Sequence, residues 1–98
     1  MLPNSWAGVG AVFPNVEVRH LHAVIALGEE LNFTKAAQRL HLTQSALSRQ
    51  ITEIEKQLGF RLFNRDNRRV VRVELTDAGR VFVEEARSSI AHMERAFH

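Results

Sequence analysis

Between Ala36 and Gly59 the apolar positions fall into two helical registers separated by a corner. Leu47, Ile51, Ile54 and Leu58 recur at i, i+4, i+7 and i+11, which is one stripe of a 3.6-residue helix, and this predicts a helix over about Gln44 to Leu58. Ser45, Ser48, Arg49, Thr52 and Lys56 fall away from that stripe, and Gln44 lies on its flank in the first turn. Before it, Thr34 to Leu40 reads as a shorter helix with Ala36, Ala37 and Leu40 as its apolar points. The corner is His41-Leu42-Thr43. Thr43 is a candidate N-cap. His41 stands where such corners often place Gly in a left-handed conformation, which His tolerates better than most residues. The long helix is thus held by one face and offers amides, hydroxyls and cations elsewhere, the groups that contact base edges and phosphates.

The pattern extends on both sides. Val16 to Asn32 predicts a first helix through Leu21, Val24, Ile25, Gly28 and Leu31, with Gly28 suited to a close helix crossing. His20 and His22 lie two apart on different faces, which suits partly exposed helix positions rather than a shared metal. Phe33 reads as a core plug and Thr34 as the N-cap of the short helix. Gly59 is the expected C′ residue of the long one. Phe60 to Arg65 and Val70 to Leu75 then predict two strands of a hairpin, with Asp66-Asn67-Arg68-Arg69 at its turn. Thr76-Asp77 opens a last helix, Thr76 as N-cap and Asp77 as a first-turn acid. On it Val83, Ala86, Ile90, Met93 and Phe97 follow a 3-4-3-4 spacing flanked by Phe82 and Ser89. Some 20 residues make a rod of about 30 Å, longer than a small domain covers, so this seam predicts a dimer contact.

Charge sharpens the picture. The net +2 of the 98-residue chain conceals −2 over residues 1–33, +2 over 34–58, +4 over 59–73 and −2 over 74–98. Positive charge, mostly Arg, is concentrated in the middle of the chain, the footprint expected of nucleic-acid binding. Cysteine is absent, which removes disulfides and Cys-based metal or nucleophile chemistry. No Gly-rich phosphate loop and no His pair at ligand spacing is present, and a lone His41 beside Ser45 and Ser48 lacks the acid and oxyanion hole of a triad, so no enzyme, cofactor or metal site is expected. No apolar run approaches the roughly 18 residues of a membrane span. Residues 1–15 show no sustained periodicity and read as a flexible extension, with docking of Trp6 and Phe13 as the alternative.

The run Ala36-Ala37-Gln38-Arg39-Leu40-His41-Leu42-Thr43-Gln44-Ser45-Ala46-Leu47-Ser48-Arg49-Gln50-Ile51, followed by Ile54-Glu55, Leu58-Gly59, Leu62-Phe63, Arg65 and Leu75-Thr76-Asp77-Ala78-Gly79, resembles the N-terminal DNA-binding region of LysR-type transcriptional regulators. The resemblance covers about Val16 to Phe97. It implies a mainly α fold: a winged helix-turn-helix of three helices and a two-stranded wing over residues 16–75, then a linker helix over 76–98 that pairs two copies. It further implies a bacterial, cytoplasmic, nucleoid-associated protein that regulates transcription.

Residue by residue, Gln44, Ser45, Ser48 and Arg49 match recognition-helix positions facing bases and phosphates. Thr43 matches a position near the phosphate backbone, and Thr34 joins it as an expected contact. Arg68 and Arg69 match the wing position directed at the minor groove. Phe82, Val83, Ala86, Ile90, Met93 and Phe97 are the expected dimer contacts. The partners implied are double-stranded DNA, as an interrupted palindrome, and a second copy of the chain, with a tetramer open to the full-length protein. A small-molecule effector belongs to a C-terminal domain that full-length family members carry and that is not expected within these 98 residues. Two departures stand out: the interval from Leu62-Phe63 to Leu75-Thr76 is longer than usual, and Ser45 occupies a position where Pro is common. The competing reading is a winged helix that binds protein and has no DNA affinity.

Overall fold

The computed structural model describes residues 15–65 and 72–96. They form α1 (Val18–Glu30), α2 (Phe33–Arg39), α3 (Gln44–Leu58), β1 (Phe63–Asn64), β2 (Glu74–Leu75) and α4 (Asp77–Ala96). Trp6, Phe13, Arg68, Arg69 and Phe97 lie outside the described residues.

Helix α1 is the hub. Seven of its 13 residues are buried: His20, Leu21 and the unbroken run Ala23 to Leu27. A helix apolar on so wide an arc needs cover on several sides, and α2, α3 and α4 all pack against it. The core is completed by Val16, Phe33, Ala36, Ala37, the stripe Leu47, Ile51, Ile54 and Leu58, the wing residues Leu62, Phe63 and Val73, and Val83, Ala86 and Ile90 of α4. Gly28 sits at the crossing of α1 and α4, where a Cβ would stand 2.7 Å from a Val83 methyl. The close crossing expected there is present.

Helix α1 ends at Leu31, which is left-handed (φ 53°) and 37% exposed, so it caps the helix and does not extend the apolar stripe. Asn32 follows in an extended conformation and accepts the Lys35 N–H at 2.9 Å. Asn32, and not Thr34, is therefore the N-cap of α2, and Thr34 is the second residue of the helix. Both side chains can cap, but the backbone leaves the extended region only after Asn32.

The corner between α2 and α3 is a Schellman turn built on His41 (φ 57°). Its Leu42 N–H reaches back to the Ala37 carbonyl at 2.8 Å and its His41 N–H to Gln38 at 3.1 Å. Thr43 then caps α3, its hydroxyl oxygen accepting the Ala46 N–H at 3.0 Å. Gly59 ends α3 in the left-handed region, φ 84°.

The two strands are shorter than their sequence pattern. They pair antiparallel with Phe63 opposite Leu75 and Asn64 opposite Glu74. The returning limb is also tied to the α1–α2 corner, through a bridge between Asn32 and Arg72 and a bond from Val73 N–H to the Leu31 carbonyl at 3.2 Å. The wing base and the α1–α2 corner are thus one hydrogen-bonded unit. At the start of α4 the Thr76 hydroxyl accepts the Gly79 N–H at 2.9 Å and donates to the Arg61 carbonyl at 2.8 Å. The Thr76 N–H bonds Leu62 at 3.0 Å. Gly79 is required there: a Cβ would lie 2.1 Å from the Leu62 carbonyl oxygen.

Candidate nucleic-acid interface

Burial of Leu47, Ile51, Ile54 and Leu58 fixes the roll of α3 and sends Gln44, Ser45, Arg49, Thr52 and Lys56 to solvent. Gln44, Ser45 and Arg49 are exposed and make no side-chain hydrogen bond or ion pair with any other described residue. Ser48 is different. It is half-buried, its hydroxyl takes a bond from Arg65 Nη1 at 3.2 Å, and its carbonyl accepts the Thr52 hydroxyl at 2.9 Å. Thr43 is exposed with its oxygen already engaged in the cap. Thr34 and Lys35 are exposed at the start of α2, at the end of that helix away from the corner.

Two residues organise this face from behind. Glu55, 8% exposed, accepts the Leu62 and Phe63 N–H groups at 2.7 and 3.1 Å on a single oxygen and so fastens α3 to the first strand of the wing. Its other oxygen faces Arg65 Nη2 at 3.6 Å and Arg61 Nε at 3.7 Å. Arg65 lies over the Phe33 ring, 4.9 Å from its centre, with Nε and Nη2 buried and without a hydrogen-bond partner among the described residues. Burial pushes its guanidinium below the usual range, the Glu55 carboxylate opposes this and Arg61 adds to it. Arg65 is thus a structural cation that orients Ser48. In the sequence, Glu55 and Arg65 stand among the residues that carry the family resemblance, but periodicity marks Glu55 only as a charge one step off an apolar stripe. Beside them Thr52, Glu55, Lys56, Gly59, Phe60, Arg61 and Arg65 line an open groove of about 490 Å³.

At the other flank His20 corrects the expectation of partial exposure: it is 2% exposed. Its Nδ1 accepts the Glu17 N–H at 2.9 Å and its Nε2 meets Glu53 Oε2 at 3.1 Å. Hydrogen bonding to His20 first, and the neighbouring cations Arg19 and Arg49 after it, hold the Glu53 carboxyl below its ordinary value.

The cations are not all available. Arg39 of α2 is tied to Glu29 at 2.6 Å and Glu30 at 3.3 Å, and Arg87 of α4 reaches the same Glu29 at 3.4 Å. The bond to Glu29, against a small cost of burial, raises the Arg39 pKa further. On α4, Val83, Ala86 and Ile90 are 6%, 3% and 9% exposed and pack into the core of the chain itself. Phe82 and Met93 are half-buried on the edge of that face, and Val81, outside the expected seam, is 62% exposed. No described helix is long and apolar enough to cross a membrane, and no group of three or more acid, His or Cys side chains among the described residues could hold a metal.

Residues 18–80 match the family described as the bacterial regulatory helix-turn-helix protein, lysR family. The chain belongs to that family. Its lysR-family relatives include the uncharacterized HTH-type transcriptional regulator YnfL of Escherichia coli K12, 43% identical over 82 residues, which are 84% of this chain and 27% of that protein. The HTH-type transcriptional regulator AlsR of Bacillus subtilis 168 is 45% identical over 75 residues, 76% of this chain and 24% of AlsR. The chain therefore spans about a quarter of the length of these lysR-family regulators. The fold is similar to that in the crystal structure of the CbnR DNA-binding domain with DNA, with a TM-score of 0.76 and 37% identity over 83% of this chain and 90% of that one. The expected fold, a mainly helical winged helix-turn-helix with a two-stranded sheet, is the one observed.

Proposed function

We propose that this chain binds double-stranded DNA sequence-specifically as the DNA-binding portion of a cytoplasmic transcriptional regulator. Residues 16–75 are the reading unit, and residues 76–98 join two copies. The observation that carries this reading is the division of α3: one face is locked into the core, and Gln44, Ser45 and Arg49 stand unengaged on the other. Gln44 has the bidentate amide that suits adenine, and Arg49 the fork that suits guanine or a phosphate. Lys35, Lys56 and the exposed hydroxyls of Thr34 and Thr43 supply backbone contacts that set register. Arg68 and Arg69 fit a minor-groove contact. Ser48, half-buried and bonded by Arg65, holds the base of this face and is the least accessible of the four α3 positions.

Two copies joined along α4 place two reading helices on one side of a duplex, with half-sites spaced by about 10 bp or a multiple. Because Val83, Ala86 and Ile90 are enclosed by their own protomer, the joining contact draws on Phe82, Met93 and the exposed Val81.

Selection of bound duplexes from a random pool tests binding, sequence preference and spacing together. A two-part motif is the expected result. Failure to retain any duplex at low salt, about 50 mM, overturns the reading. Gln44→Ala is expected to relax one position of the motif and weaken binding by about 1–3 kcal/mol.

A further inference from the structure

Arg49, exposed, and Glu53, half-buried with its side chain 43% accessible, are four residues apart on α3. Exposed side chains of opposite charge at this spacing attract each other, yet Arg49 and Glu53 are not paired. Glu53 is held from the other side. His20 Nε2 meets its carboxylate at 3.1 Å, and Arg19 Nη2 stands 3.9 Å away, itself 3.2 Å from Glu17. The His20 ring has little freedom to release it. Its side chain is 3% exposed, and its Nδ1 accepts the Glu17 N–H at 2.9 Å, which in the neutral ring places the proton on Nε2, facing Glu53.

We propose that His20 is a positioning residue for the DNA-reading face, holding the Glu53 carboxylate against α1 and so keeping the Arg49 guanidinium unpaired for DNA. This rests on the reading of α3 given above. A released Glu53 would neutralise Arg49 and set a negative charge where a phosphate approaches.

The test uses a duplex enriched from a random pool by the wild-type chain, with Kd read by fluorescence anisotropy for Arg49→Ala, His20→Phe, Glu53→Gln and the double variant His20→Phe/Glu53→Gln. Arg49→Ala should weaken binding about tenfold or more. His20→Phe should weaken it about twofold, the size of one helical i,i+4 ion pair. Glu53→Gln should bind at least as tightly as wild type, and the double variant should bind like Glu53→Gln. His20→Gln, whose amide can accept from Glu17 and donate to Glu53, should restore binding to near the wild-type value.

If His20→Phe causes the same loss whether or not Glu53→Gln is also present, its role is merely structural and the proposal is overturned. Full binding by His20→Phe while Arg49→Ala is weak would overturn it as well. An Arg49→Ala variant that binds normally removes the premise about Arg49 itself, and a wild-type chain that retains no duplex removes the DNA reading. If Phe at position 20 prevents folding, Glu53→Asp replaces it: the charge stays but falls short of His20. Weaker binding for Glu53→Asp than for wild type supports the proposal, and equal binding overturns it.

Discussion

Replacing Glu55 by Ala removes one oxygen that serves two backbone donors. Leu62 and Phe63 are both 0% exposed, and their N–H groups bond that oxygen at 2.7 and 3.1 Å. Each donor left buried without a partner costs about 1–3 kcal/mol, so the pair costs roughly 2–6 kcal/mol. Loss of the anion beside the partly buried Arg65 adds to this. A domain of this length is stable by about 5–15 kcal/mol in all. A loss of about 3 kcal/mol lowers Tm by roughly 12–24 °C at this size. Glu55→Gln also removes the anion beside Arg65 but keeps an acceptor for the two N–H groups, so at that bond it gives up charge assistance of about 1–2 kcal/mol. The assay is thermal and urea unfolding of the three proteins, with amide hydrogen exchange at Leu62 and Phe63. Ala is expected to fall well below Gln, and those two amides to exchange fastest. A Tm for Glu55→Ala within about 4 °C of wild type, with protected amides, would refute the claim that this carboxylate fastens the wing to α3.

Two glycines packed at α4 should tolerate a methyl group differently. Ala in place of Gly normally favours a helix by up to about 1 kcal/mol, but Gly79→Ala meets a backbone oxygen at 2.1 Å and should lose at least about 3 kcal/mol by urea unfolding. Gly28→Ala meets only a Val83 methyl at 2.7 Å and should lose less than about 2 kcal/mol. The reverse ranking would mean that the wing and α4 are not locked at Gly79. Glu53 has its folded pKa depressed from an ordinary value of about 4.5, chiefly by the hydrogen bond to His20. Its contribution is therefore present above that value and lost as pH falls through the lower folded one. Wild type should lose stability relative to Glu53→Gln across that acid window, and parallel curves would remove the contribution.

Much of the architecture was legible because it rests on periodicity and on a few strongly biased positions. The α3 stripe, the Thr43 cap, left-handed His41 and Gly59, the Thr76 cap and the tight crossing at Gly28 all carry local signals. Asn32 and Thr34 both have cap chemistry two residues apart, and only the backbone path chooses between them. His20 and Glu55 are polar, so no hydrophobic period marks them as buried. Their burial is made acceptable by partners 33 residues and 7 or 8 residues away, which a linear pattern does not contain. The seam on α4 was visible, but periodicity cannot say whether a stripe faces its own domain or another copy. In the structure, Val83 meets Gly28 of α1, and Ala86 and Ile90 are buried with it in the core of the same chain.

The close crossing at Gly28 would also serve as a fulcrum if a larger side chain stood there. From Val83 to the end of α4 at Ala96 the helix runs about 20 Å. A swing of about 5° at the crossing displaces the far end by about 1.7 Å over that length. A single added methyl at position 28, pressing on Val83, is therefore magnified along the helix. In a dimer joined through α4 the two displacements combine, and the span between the reading helices shifts without any change in the residues that face DNA. Half-site spacing would then be set by the size of a side chain buried at a helix crossing as well as by the sequence of the reading face.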